Sequence, residues 1–205
     1  MVQAVKPLPR LAPLPRDYAP ELQEQFALYE KALGFVPNSA LIMQRKPRLV
    51  RAFAQLTAAI NSDPDNEVDT GFKRLLAHVA SRAAGCNYCM AHTAASAPLW
   101  GIDEAKVAAI WEYRSSPLYT EAERIALDFS LAASSVPNDV SDAMFAEMRL
   151  HWNENQIVEI VSVIALFGFL NRWNDTFATP LEAEPLEAGE KYLADHGWEA
   201  GKHLR

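Results

Sequence analysis

The sequence predicts an all-α protein, and three observations carry that reading. From residue 21 onward apolar residues recur at helical spacing, as in Val68, Phe72, Leu75, Leu76, Val79 and Ala83. Helix punctuation marks the segment ends. Gly34 closes "ELQEQFALYEKALG", and the pairs Thr120/Glu123 and Asn153/Gln156 fit capping boxes. There is no alternation of strand and helix patterns and no Asn-Gly hairpin turn.

Taken in order, residues 1–20 hold Pro7, Pro9, Pro13, Pro15 and Pro20. Proline fixes φ and lacks an N–H, so this stretch predicts an extended arm, mobile or packed on a neighbouring subunit. Residues 21–180 predict the helical domain. Asn38 or Ser39 is expected to cap "SALIM", Pro47 to open "RLVRAFAQLTAAI", and "NSDPDN" at 61–66 to break the chain. Gly85 is expected to end the helix that starts near Val68. The next helix should begin at or beside Cys86 and run to about Ala97. "DEAKVAAIWEY", "EAERIALDFSLAAS" and "SDAMFAEMRLHW" predict helices with short links. "NQIVEIVSVIALFGFLNRWNDTF" is the most apolar stretch. Its β-branched residues permit a strand, but its length and preceding cap predict a buried helix. Residues 181–205 predict a polar tail, weakly ordered or docked.

Composition narrows the function. The formal net charge is −7 and no Lys/Arg cluster stands out, so neither nucleic acid nor an anionic membrane is an expected partner. The proline-rich N-terminus has no continuous apolar core of a signal peptide, and the run from Ile157 to Leu170 is short for a bilayer and carries Glu159. A cytoplasmic location is expected. Disulfides there are usually transient and catalytic.

The chain has two cysteines, Cys86 and Cys89, with His92 close behind, in "AAGCNYCMAHTA". A thiol reacts as its thiolate, and a helix start or a nearby histidine favours that form. With a helix beginning near Cys86, His92 lies one turn beyond Cys89 on the same side. One sulfur attacks an oxidant and becomes a sulfenic acid; the other condenses with it to a disulfide, which a dithiol resets. Two other readings stand beside this one. One is a pair of inert core cysteines; the other is zinc held by Cys86, Cys89, His92 and His78, although structural zinc sites usually draw ligand pairs from separated segments. His78 shares a face with Arg74 and Arg82 and is expected on a solvated surface. The polar cluster Asn171, Arg172, Asn174 and Asp175 reads equally as a pocket wall or subunit contact and as a capped helix end.

"KRLLAHVASRAAGCNYCMAHTA" resembles the core of the carboxymuconolactone decarboxylase and alkyl hydroperoxidase D superfamily. "LGFVPNSALIMQRKPRLVRAF" and "ALFGFLNRWNDTF" resemble flanking segments of its peroxidase-related branch. The resemblance covers most of residues 21–180. It implies a multi-helix bundle assembled as a homo-oligomer, and a thiol peroxidase that reduces a hydroperoxide with electrons from a dithiol protein or small thiol, without cofactor or metal. It also implies that Cys89 attacks and Cys86 resolves, with His92 nearby. Two positions depart from the family pattern. The usual histidine four residues after the second cysteine is Thr93 here, with His92 one place earlier and about 100° round the helix. The usual relay glutamate is Arg74. Members that decarboxylate lactones lack the cysteine pair, so that activity is not expected. The non-enzymatic alternative is a helical oligomer that senses oxidation or binds a partner.

Overall fold

The computed structural model describes residues 9–204, which form ten α-helices and short 3-10 turns, with no strand among the described residues. The helices are α1 (Gln23–Leu33), α2 (Asn38–Met43), α3 (Pro47–Asn61), α4 (Thr70–Ala83) and α5 (Asn87–Leu99). They are followed by α6 (Glu104–Ala108), α7 (Glu121–Ser134), α8 (Asp142–His151), α9 (Glu154–Phe177) and α10 (Ala183–Tyr192).

Local chemistry sets most boundaries. Gly34 takes φ +86° behind α1, a left-handed conformation that favours glycine. Pro47 sits at the first turn of α3. Both expected capping boxes form, at Thr120/Glu123 and Asn153/Gln156. One cap differs. Pro37 holds the N-cap of α2 and Asn38 is already helical. Asn38 is drawn away by the C-terminal segment: its side-chain amide donates to the Pro180 carbonyl at 3.0 Å and its backbone N–H donates to the Glu182 carboxylate.

Helices α4, α5, α7 and α9 pack together as the centre of the molecule. Helix α4 buries Phe72, Leu75, Leu76 and Val79 almost completely. Each such side chain is worth about 1.5–3 kcal/mol relative to exposure. Lys73, off that apolar face, is buried too, because α9 covers it. Its ammonium meets Glu159 at 2.7 Å and the Ile60 carbonyl at 2.8 Å, which satisfies a charge otherwise costly to bury. By length and composition α9 is long and apolar enough to cross a membrane, longer than the apolar run counted in the sequence. In this fold it is a core helix, burying Ile157, Ile160, Val163 and Leu166 against its neighbours.

The two ends of the described chain are strapped onto this centre. Of the proline-rich arm, residues 1–8 lie outside the described residues. The rest runs over α2: Leu14 donates to the Leu41 carbonyl at 3.2 Å, and Arg45 donates to the Ala12 carbonyl at 2.8 Å. At the other end α10 packs against α5. Leu193 and Trp198 are buried, and the Trp198 indole donates to the Asn87 carbonyl at 3.1 Å.

Helix α4 is also pinned at its start. A Cβ placed on Gly71 would lie 2.7 Å from the Trp100 carbonyl oxygen and 2.8 Å from Ile102. Gly71→Ala is therefore expected to lower the unfolding free energy by about 1–3 kcal/mol, since backbone must shift to admit a methyl. A denaturant midpoint equal to wild type would show that this contact yields freely.

Candidate functional site

Gly85 takes φ +69° between α4 and α5, which lets the chain turn directly into the cysteine pair. Cys86 is the N-cap of α5, and its sulfur accepts the Cys89 backbone N–H at 3.4 Å. Cys89 lies in the first turn. Both cysteines are free thiols and both are buried.

The two sulfurs differ in outlook. Cys89 lines a cavity of about 120 Å³; Cys86 is not among its lining residues. The cavity is walled by Met43, Phe53, Leu166, Phe167 and Leu170 from α2, α3 and α9. An apolar cavity of roughly 150 Å³ takes a benzene-sized molecule, so this one suits a single small ring or a short chain. Asn174, on α9, points its side-chain amide at the Cys89 sulfur, 3.5 Å away. That assigns part of the polar cluster at 171–175 to the cavity wall. Asn171 is a packing residue that donates to the Ala80 carbonyl, and Asp175 pairs with Lys202 at 2.6 Å.

The resting charge on Cys89 corrects the sequence expectation. Burial pushes its thiol well above the ordinary range, and the hydrogen bond and charge of Cys86 push the same way. Only the Asn174 amide opposes them by hydrogen bonding. The α5 N-terminus does not prevail because its cap is Cys86 itself, while Cys89 faces a mostly apolar chamber.

His92 also lines the cavity, but its Nε2 faces Glu182 at 2.7 Å rather than a sulfur. Its ring stacks on Tyr88, with centroids 4.2 Å apart, and the Tyr88 hydroxyl donates to Glu182 at 3.0 Å. Burial would raise the Glu182 carboxyl, but the pull and hydrogen bond of His92, with the Asn38 N–H, bring it below its usual value. Sequence reasoning missed Glu182 and Tyr88. Glu182 stands 90 positions from His92 within an acidic tail, and no local pattern marks it.

His78 is buried, not on a solvated face. Its charged neighbours are covered by indoles: the Arg82 guanidinium lies 4.3 Å from the Trp111 ring centroid and that of Arg74 lies 5.4 Å from the Trp100 ring. His78 Nδ1 is 2.9 Å from the Thr93 hydroxyl. The zinc alternative fails on this geometry. His78 turns to Thr93 and His92 to Glu182, and among the described residues no three His, Cys, Asp or Glu side chains converge on one point.

The chain is an all-helical protein with a buried CxxC pair, one sulfur of which opens on a mostly apolar cavity. No family model matches the chain. It is 36–37% identical to the debrominase Bmp8 over 89% of its length and 96–97% of that protein's, with a TM-score of 0.83. One of those crystal structures is a cysteine-to-alanine variant holding 2,3,4-tribromopyrrole. A peroxidase-related protein with the alkylhydroperoxidase AhpD core, from Ralstonia eutropha JMP134, is 23% identical over 88% of this chain and 96% of its own, with a TM-score of 0.73, and shares the fold. The chain is a relative of Bmp8 and has the helical fold of the alkyl hydroperoxidase D-like proteins. Escherichia coli YnjA is 28% identical over 97 residues, 47% of this chain. The match spans 53% of YnjA and 63% of the second curated relative, Bacillus subtilis YdfG.

Proposed function

We propose that the chain is a dithiol-dependent reductase of a small, largely apolar electrophile. The observation that carries this reading is the asymmetry of the cysteine pair. Cys89 opens on a ring-sized cavity, and Cys86 lies beside it out of the cavity. That suits attack by Cys89 and resolution by Cys86. The Cys89 sulfur takes an electrophilic atom from the ligand, the ligand leaves with the electron pair and is protonated, and Cys86 displaces the transferred atom to form the disulfide. For an organic bromide the balance is C–Br plus two thiols giving C–H, a disulfide and HBr. For a hydroperoxide it is ROOH plus two thiols giving ROH, a disulfide and water.

Of the two electrophiles we place the organic halide first. Most of the cavity wall is carbon, from Phe53, Leu166, Phe167 and Leu170, and a debrominase is 36–37% identical along nearly the whole chain. The hydroperoxide reading follows from the sequence resemblance, but Arg74 and Thr93 stand where that branch carries its proton relay. His92, steadied by Glu182, is the titratable group nearest in role to a proton donor for the leaving ligand. Recharging by a dithiol protein or small thiol, a homo-oligomeric state and a cytoplasmic setting without cofactor or metal belong to the same proposal.

The test uses reduced protein with no other thiol present. Cumene hydroperoxide is added in one arm and a bromopyrrole in the other. The expected result is loss of two thiols and gain of one disulfide per chain, with one bromide released in the second arm. Intact thiols in both arms would falsify the proposal. A single round of oxidation that dithiothreitol cannot convert into turnover would instead indicate a redox switch.

A further inference from the structure

The cavity holds a cation that the dithiol chemistry above does not use. Arg74 lines it from α4, and none of the lining residues is an aspartate or glutamate. Among the described residues no carboxylate lies within ion-pair distance of this guanidinium. The hydrogen-bond acceptor it meets is Asn61 Oδ1, 2.8 Å from one terminal nitrogen. Its Nε is buried without an acceptor. Asn61 is itself fixed, because its amide nitrogen donates to the Thr57 carbonyl at 2.9 Å. The Thr57 hydroxyl, also lining the cavity, is buried without a partner. Burial pushes Arg74 down to about 10, which leaves it cationic at neutral pH.

A partly buried guanidinium without a counter-charge is costly, and structures that keep one normally supply an anion. Here the described residues supply none, and unmet donors line the same chamber. We infer that the cavity binds its ligand as an anion: a single-ring organic molecule carrying one negative charge, as a carboxylate, phenolate or azolate. Arg74 and the Thr57 hydroxyl hold the charged end. Phe53, Leu166 and Phe167 cover the ring, with Cys89 at the same cavity wall. Asn61 acts as a positioning residue for the guanidinium. The inference rests on the dithiol-reductase reading only in treating this ligand as the substrate; the binding itself needs no thiol chemistry.

The experiment is calorimetric titration of the reduced full chain with 4-bromobenzoate and with its neutral counterpart, 4-bromobenzamide. A charge-assisted hydrogen bond in a partly desolvated site favours the anion by about tenfold or more in affinity. Wild type is expected to show that preference, Arg74→Lys to keep part of it, and Arg74→Gln to bind both compounds equally. Equal affinities in wild type, a preference that survives in Arg74→Gln, or binding of neither compound would overturn the inference. Should Arg74→Gln fail to fold, the wild-type ratio and Arg74→Lys still decide. The outcome is separable from the dithiol reading: the preference is measured without turnover, and thiol loss with electrophile is measured without 4-bromobenzoate.

Discussion

Cys89→Ser is expected to slow electrophile-driven oxidation by at least about a thousandfold, because the attacking atom itself is removed. Cys86→Ser should differ in kind. The first bond exchange proceeds, and the reaction stalls with a modified Cys89 that only an added thiol releases. In wild type the pH dependence of the first step is set by burial. Cys89 is held as the thiol well above the ordinary cysteine range, so only a small thiolate fraction exists at neutral pH. Below its pKa that fraction rises tenfold per pH unit. The rate of Cys89 oxidation or alkylation should therefore climb by about tenfold per unit between pH 7 and 9. A rate that is flat across that interval would mean the thiolate is already formed, and burial would not be the controlling influence.

This resting state was not legible in the sequence. A glycine, two cysteines and a histidine within two turns of a helix start point to activated thiols; the helix does begin at Cys86 as expected, but His92 turns to Glu182. What the sequence conceals is the lid over that turn. Phe53, Leu166 and Phe167, which share the cavity with Cys89, come from helices distant in sequence, and the burial of Cys89 outweighs the helix terminus. The fold itself was far more readable, since helical periodicity and caps are local signals. Gly34, Pro47, Thr120 and Asn153 all mark boundaries that the structure keeps. Long-range partners were the blind spot. Asn38 leaves its expected cap for Glu182, and His92 turns to the same carboxylate. His78 and Arg74 share a helix face whose charges suggested water, yet Trp100 and Trp111 cover it. A guanidinium can be covered this way because its flat face lies on an indole while its edge still donates hydrogen bonds.

The burial of His78 carries the largest expected effect on stability. Its imidazole is pushed down to about 4 from the ordinary 6.5, first by burial, against a backbone hydrogen bond at Met90, with the Arg82 charge adding to the fall. Nδ1 has the Thr93 hydroxyl, but Nε2 is buried with no acceptor, so a second ring proton would have nowhere to bond. The folded protein therefore keeps His78 neutral where the unfolded chain takes up a proton. Between pH 6.5 and about 4 the unfolded state binds more protons, so stability rises with pH across that window and is fully present above 6.5. At about 1.4 kcal/mol per unit, acidification through the window costs about 3 kcal/mol from this one residue. His78→Gln, which cannot titrate, should lose that part of the acid-side decline, whatever its stability at neutral pH. Urea unfolding at pH 7, 6, 5 and 4 for both proteins measures it. Two stability curves that run parallel over the window would show that His78 is protonated as readily in the folded chain as in the unfolded one.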